Sequence, residues 1–195
     1  MTGFFRPRPG GTLQARFTEF EADLLRSLAS QVIEVLHSEQ AAPVGSDDPL
    51  EAMFDFSGPT TEPDDPVLQR LLPSAYKHDP EAAGEFRRFT ESTLRQGKVA
   101  AASAVVDALE EAGLGDEPGE QDLLLEVELD EGTANAWLRS FTDIRLAIAV
   151  RLEITDEDDE DRWRALPDDD PRGQAHDIYE WVGYLQETLV GALTS

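Results

Sequence analysis

Cysteine is absent from the chain, and methionine occurs only at Met1 and Met53. That excludes disulfides, thiolate zinc sites, thiol nucleophiles and any cysteine redox switch carried by this chain. Histidine is nearly as scarce. His37, His78 and His176 lie far apart, and neither HExxH nor another paired spacing suited to a shared metal occurs. No apolar run approaches the roughly 20 residues needed to cross a bilayer. The start, MTGFFRPRPGG, lacks the apolar core of a signal peptide. A cytoplasmic protein without membrane association is expected. The GxxxxGK[ST] and GxGxxG phosphate loops and the GxSxG elbow are missing as well. Carboxylates are too plentiful to single out a general acid and base. No catalytic residue, metal ligand or cofactor is assigned, and the reading is non-enzymatic.

Positive charge is the other shortage. Sixteen Lys and Arg stand against 41 Asp and Glu, a formal net charge of −25. Such a surface repels polyanionic DNA at long range, and phosphate binding needs clustered cations, so direct nucleic-acid binding is not expected. With 195 residues, 40% hydrophobic and 29% charged, the chain suits a single well-filled globular domain over 1–195.

The pattern of what is present predicts a mainly α fold: a helical bundle of about five helices with a small β-hairpin or three-stranded antiparallel sheet. Residues 4–17 read as the hairpin, turning at Pro9-Gly10-Gly11. Thr18 and Glu21 form a capping box, after which Phe20, Leu24, Leu28, Val32 and Leu36 suggest one buried stripe to about His37. Residues 39–66 read as a long irregular loop. Val67 to Leu72 is a short helix stopped by Pro73. Asp79-Pro80 starts the next helix, with Phe86, Phe89 and Leu94 as apolar contacts. Gly97 is the expected divide before a further helix, Lys98 to Ala112, ending at Gly113. Residues 123–129 alternate as a strand able to pair with the hairpin. Asp130 opens a central helix to about Ile154, with Trp137, Phe141, Ile144, Ile148 and Leu152 on one face and Leu146 and Val150 opposite. The last helix, roughly Gln174 to Leu193, places Ile178, Val182, Leu185 and Leu189 in one stripe.

Three features invite a functional reading. Residues 155–171 hold nine carboxylates in seventeen positions. An EF-hand count from Asp156 puts Asp161 where glycine must turn the loop and Pro167 where Glu must clamp the ion, so the stretch reads as an acidic connector over 155–173. Between Arg70 and Lys98, six basic residues (Arg70, Lys77, Arg87, Arg88, Arg95, Lys98) face four acidic ones. This candidate partner-binding patch either receives an acidic partner or pairs with the chain's own carboxylates. Finally, Arg145 and Arg151 fall at the edges of the central helix's main face. As candidate buried ion pairs they need carboxylates, for which Glu21, Glu34, Glu85, Asp177 and Glu180 are available. They can equally be interface residues, and a homodimer stays open.

The segments RLLPSAYKHDPEAAGEFRRFTESTLRQGK, AWLRSFTDIRLAIAVRLEI and YEWVGYLQETLVGAL, with the FFRPRPGG start, resemble an actinobacterial family of oxidative-stress regulators named after AosR, formerly of unknown function. The resemblance implies a non-enzymatic regulator of oxidative-stress and cysteine-biosynthesis gene expression, partnered by a sigma factor or another RNA polymerase component. The thiol switch associated with the family is not implied here, because the chain has no cysteine. The other role it suggests is an accessory protein to a sulfur-transfer or proteolytic pathway encoded nearby.

Overall fold

The computed structural model describes residues 2–39, 58–115, 124–154, 166–167 and 170–195. Most of the expected loop at 39–66 and nearly all of the acidic connector at 155–173 lie outside the described residues.

Strands β1 (Arg6–Pro7) and β2 (Leu13–Thr18) form the hairpin. Gly10 and Gly11 close it at φ +107° and +85°, left-handed conformations that glycine adopts without a Cβ clash. β3 (Leu124–Leu129) pairs antiparallel with β2, giving the order β1-β2-β3. Alternation decides the faces. Leu13, Ala15, Phe17, Leu125, Val127 and Leu129 turn inward, while on the outer face Arg16 opposes Glu126 and joins it at 2.8 Å.

Five helices complete the described fold: α1 (Glu19–His37), α2 (Pro66–Leu71), α3 (Pro80–Glu111), α4 (Glu131–Arg151) and α5 (Pro171–Leu193). Their starts are chemically explicit. Thr18 and Glu21 close the expected capping box, and Asp65, Asp79, Asp130 and Asp170 each accept an amide of the first turn. α4 is central, packing on α1, α2, α3, α5 and β3. Its Trp137, Phe141 and Ile144 are fully buried, with Leu152 inside as well. Phe5, Phe17, Trp137 and Phe141 stack in tilted and edge-to-face pairs with centroids 5.7–6.4 Å apart, which fastens the sheet to α4.

Three expectations need correction. Gly97 does not divide a helix: α3 runs unbroken, because Gly97 costs only about 1 kcal/mol relative to Ala in a helix otherwise fixed by packing. The buried stripe of α1 is Ala22, Leu25, Ala29, Val32 and Leu36, and Phe20 is 76% exposed. Small alanines let α1 approach its neighbours closely, so the largest side chain is not the innermost. Phe86, Phe89 and Leu94 are likewise exposed.

Truncating Trp137 to Ala should destabilise the protein by about 3–5 kcal/mol in urea unfolding. Trp137→Phe should cost about 1–2 kcal/mol, since it keeps most of the ring packing but loses the Nε1–H bond to the Ala104 carbonyl at 3.1 Å. A second outcome concerns acid. Hydrogen bonds from the Arg172 side chain and amide hold the Asp170 carboxyl at about 2, against 3.8 for a free aspartate. Its contribution is therefore present above pH 3.8 and is lost as pH falls from 3.8 through about 2. Asp170→Asn should flatten that part of the acid-unfolding curve, followed by circular dichroism.

Candidate functional site

The sequence patch at 70–98 separates, in the structure, into a buried part and a surface part. α3 turns Arg87, Glu91 and Arg95 to the interior at spacings of four, and all three are at most 6% exposed. Glu91 bridges the two guanidiniums, accepting from Arg87 Nη1 at 2.7 Å and from Arg95 Nε and Nη2 at 2.8 Å. Each arginine also serves another helix. Arg95 Nη1 donates to the Leu36 carbonyl at 2.7 Å, at the end of α1, and Arg87 donates to the Leu72 carbonyl, at the end of α2. These are carbonyls left unpaired where a helix stops, and a cation suits the negative pole there. Arg87 and Arg95 are thus not available as surface contacts: both are buried, and their hydrogen bonds are committed to Glu91 and to helix-end carbonyls within the fold.

Lys98 is half-buried and pairs with Asp143 of α4 at 2.6 Å. Burial pushes the Asp143 carboxyl up, and the adjacent Lys98 opposes this without cancelling it. The pair lines an open groove of about 880 Å³ between α3 and α4, with Phe89, Leu94 and Arg139 along its walls.

Arg70 and Lys77 remain at the surface, and the structure brings them together. They line a groove of about 850 Å³ between residues 60–62, α2, the 73–77 turn and the start of α3. Among the described residues, neither makes a hydrogen bond or ion pair. Among the described residues Glu62 is the one acid in this lining, and Arg87 lies in its floor. Gly84 lets the 60–62 wall sit against α3, because a Cβ there would stand 2.7 Å from the Thr60 carbonyl oxygen. Tyr76 forms one rim and meets Phe86 edge-on at 5.9 Å. Arg88, one residue further from the interior, is exposed and lies over the Phe89 ring at 5.7 Å.

The two arginines of α4 depart from expectation. Arg145 is half-buried, yet its bonds go to neutral groups, Gln186 Oε1 at 3.0 Å and the Tyr179 hydroxyl at 3.2 Å, with the Tyr179 ring 4.7 Å below. Cation–π attraction replaces the expected carboxylate. Arg151 is exposed and reaches Asp65 at 3.4 Å, so it forms no buried pair. None of the five proposed carboxylates serves either residue among the described contacts.

The model of the family described as "Domain of unknown function (DUF2017)" matches residues 1–193. The chain belongs to that family. Its relatives include "Oxidative stress regulator AosR" of Mycobacterium tuberculosis and of Mycobacterium bovis, each 30% identical over 94% of this chain and 83% of the relative. "Putative oxidative stress regulator AosR" of Mycobacterium leprae is 31% identical over 89% of this chain and 78% of its own length. No solved structure matches. For the family fold in this chain, no group of three or more His, Cys, Asp or Glu suited to a metal occurs among the described residues. No described helix is long and apolar enough to cross a membrane.

Sequence reading missed Tyr76 and took Phe86, Phe89 and Leu94 as apolar contacts of the helix, whereas all three are exposed and Phe86 meets Tyr76. The signal was present in R-x-x-x-E-x-x-x-R: when positions 87, 91 and 95 share the buried face, 86 and 89 fall on other sides of the helix, while 94 lies at the edge of that face.

Glu91→Gln leaves two buried guanidiniums against a neutral amide. Urea unfolding should show a loss of about 3–5 kcal/mol, against less than about 1 kcal/mol for Arg70→Gln on the exposed side of the groove.

Proposed function

We propose that this protein is a cytoplasmic regulator that acts by contact with another protein, and not by catalysis. The observation that carries the reading is the groove holding Arg70 and Lys77: a local excess of positive charge, unpaired among the described residues, in a chain of net charge −25. The relatives named as oxidative stress regulators support a regulatory role, and the resemblance favours a sigma factor or another RNA polymerase component as the partner. A surface this acidic argues against binding DNA directly. Because the chain has no thiol, any response to oxidants has its sensing group on the partner or in the partner's abundance.

Affinity capture of the tagged full chain from its host, with and without peroxide, followed by mass spectrometry, tests this. A transcription component should be recovered with the native protein and lost with Arg70→Glu/Lys77→Glu, while the melting temperatures of the two proteins agree. Recovery of the same partner by both proteins, or tight binding of promoter DNA by the purified chain at physiological salt, would overturn the reading.

A further inference from the structure

We propose that the groove holding Arg70 and Lys77 receives an acidic segment of the partner protein, bearing an aromatic or large aliphatic residue that sits on the Tyr76–Phe86 pair. This rests on the reading of the groove as the regulatory contact and adds the chemistry of what enters it.

The charge balance of the lining comes first. Arg70 and Lys77 stand on the exposed side, and Glu62 is the acid that answers them. Arg87 adds positive potential from the floor, but its hydrogen bonds are committed to Glu91 and Leu72. Two cations whose donors are unpaired among the described residues therefore face the groove. Each can take a carboxylate, Arg70 with a planar fork and Lys77 as a point charge.

The size of the anion follows from the rest of the molecule. At physiological salt, charges beyond about 8 Å are largely screened, so a short segment in the groove senses mainly its lining. A long, stiff polyanion such as duplex DNA would extend over the remaining surface, where acids outnumber bases 41 to 16 across the chain. A second copy of this protein fits poorly for a related reason. The cationic groove of one copy could meet only the acidic surface of another. That contact is heterologous and does not close on itself, and copies of charge −25 repel.

The walls set the mode of binding. They come from helices, turns and residues 60–62, with no strand edge, so a segment cannot dock by extending the sheet. Pro66, Pro73 and Pro80 have no amide hydrogen to offer, which reduces the backbone donors of the lining and gives side chains the larger part in recognition. At the rim, Tyr76 and Phe86 are 48% and 47% exposed and already meet edge-to-face. Phe89 and Leu94, further along α3, are exposed as well but line the groove between α3 and α4. Cations beside an aromatic shelf match carboxylates beside an aromatic or aliphatic side chain.

Fluorescence anisotropy with the full chain tests this, using a labelled short peptide of Asp and Glu with one central Phe. The controls are the same peptide with Asn and Gln, one with Gly for Phe, and single-stranded DNA of equal charge. The acidic Phe peptide should bind most tightly. Arg70→Glu/Lys77→Glu should weaken it by roughly tenfold or more, while Arg139→Glu, an equal charge change per residue in the other groove, should shift it by less than about twofold. Tyr76→Ala should remove the preference for Phe over Gly. The proposal fails if the peptide does not bind, if Arg139→Glu weakens it as much, or if the DNA binds as well with the same dependence on Arg70 and Lys77. Should the peptide fail while captured partner is still lost with Arg70→Glu/Lys77→Glu, the regulatory contact stands and the acidic-segment mode falls.

Discussion

Glu91 is the residue on which the arrangement of the first three helices depends. It holds Arg87 and Arg95 at its two oxygens, and they carry the contact onward to the ends of α2 and α1. The connection then returns. Glu39, just past α1 at φ +52°, accepts the amides of Asp64 and Asp65 at 2.9 and 3.1 Å, where α2 begins. Three chain segments are thereby linked in a closed circuit of charge-assisted hydrogen bonds. Such a circuit contributes more to uniqueness than to net stability, because desolvating three ions offsets much of their attraction. Apolar side chains could fill the same space, but they could not satisfy the Leu36 and Leu72 carbonyls.

That interior commitment determines what the surface offers. A helix buries one face, and on the first half of α3 that face is ionic. Phe86, Phe89 and Leu94 stand at the surface, Phe86 against Tyr76 of the 73–77 turn and Phe89 and Leu94 on the groove between α3 and α4. Further along, the same face becomes Ala101, Ala102, Val105 and Leu109, and the helix joins the ordinary apolar core. Helix α3 therefore has two functions along its length: its C-terminal half supports the fold, and its N-terminal half positions the groove.

Local chemistry was the most legible part of the sequence. The Thr18–Glu21 box, the Asp79-Pro80 start, the alternation of β3 and the Trp137–Phe141–Ile144 face each depend on a few neighbouring residues and were read correctly. The errors share a different cause. Whether Phe20 is buried depends on how closely the alanines of α1 let other helices approach, which is a tertiary matter. Whether Arg87 is a contact or a structural ion depends on the Leu72 carbonyl fifteen residues away. Arg145 is the clearest case. A cation near a core was assigned a carboxylate on grounds of charge, but a tyrosine and a glutamine hold it, with its buried Nε unpaired among the described residues, on a helix where Gly183 leaves room for the guanidinium.

The acidity of the chain and the cationic groove are two sides of one arrangement. Of the six basic residues between 70 and 98, Arg87 and Arg95 share Glu91, and Lys98 takes Asp143. The Lys98–Asp143 pair contributes little to the field outside, because its opposite charges lie 2.6 Å apart, whereas two arginines sharing one glutamate leave a net positive charge beneath the surface. The remainder is Arg70, Lys77 and Arg88, of which Arg88 lies over the Phe89 ring; in the proposed contact a partner would meet Arg70 and Lys77 in the groove, set against a general negative surface that discourages other polyanions. Selectivity then arises from contrast: a modest positive site is discriminating when most of its surroundings repel. The proposed contact also needs no cysteine in this chain. Recognition through this groove requires charge and an aromatic shelf, and neither depends on the oxidation state of this chain.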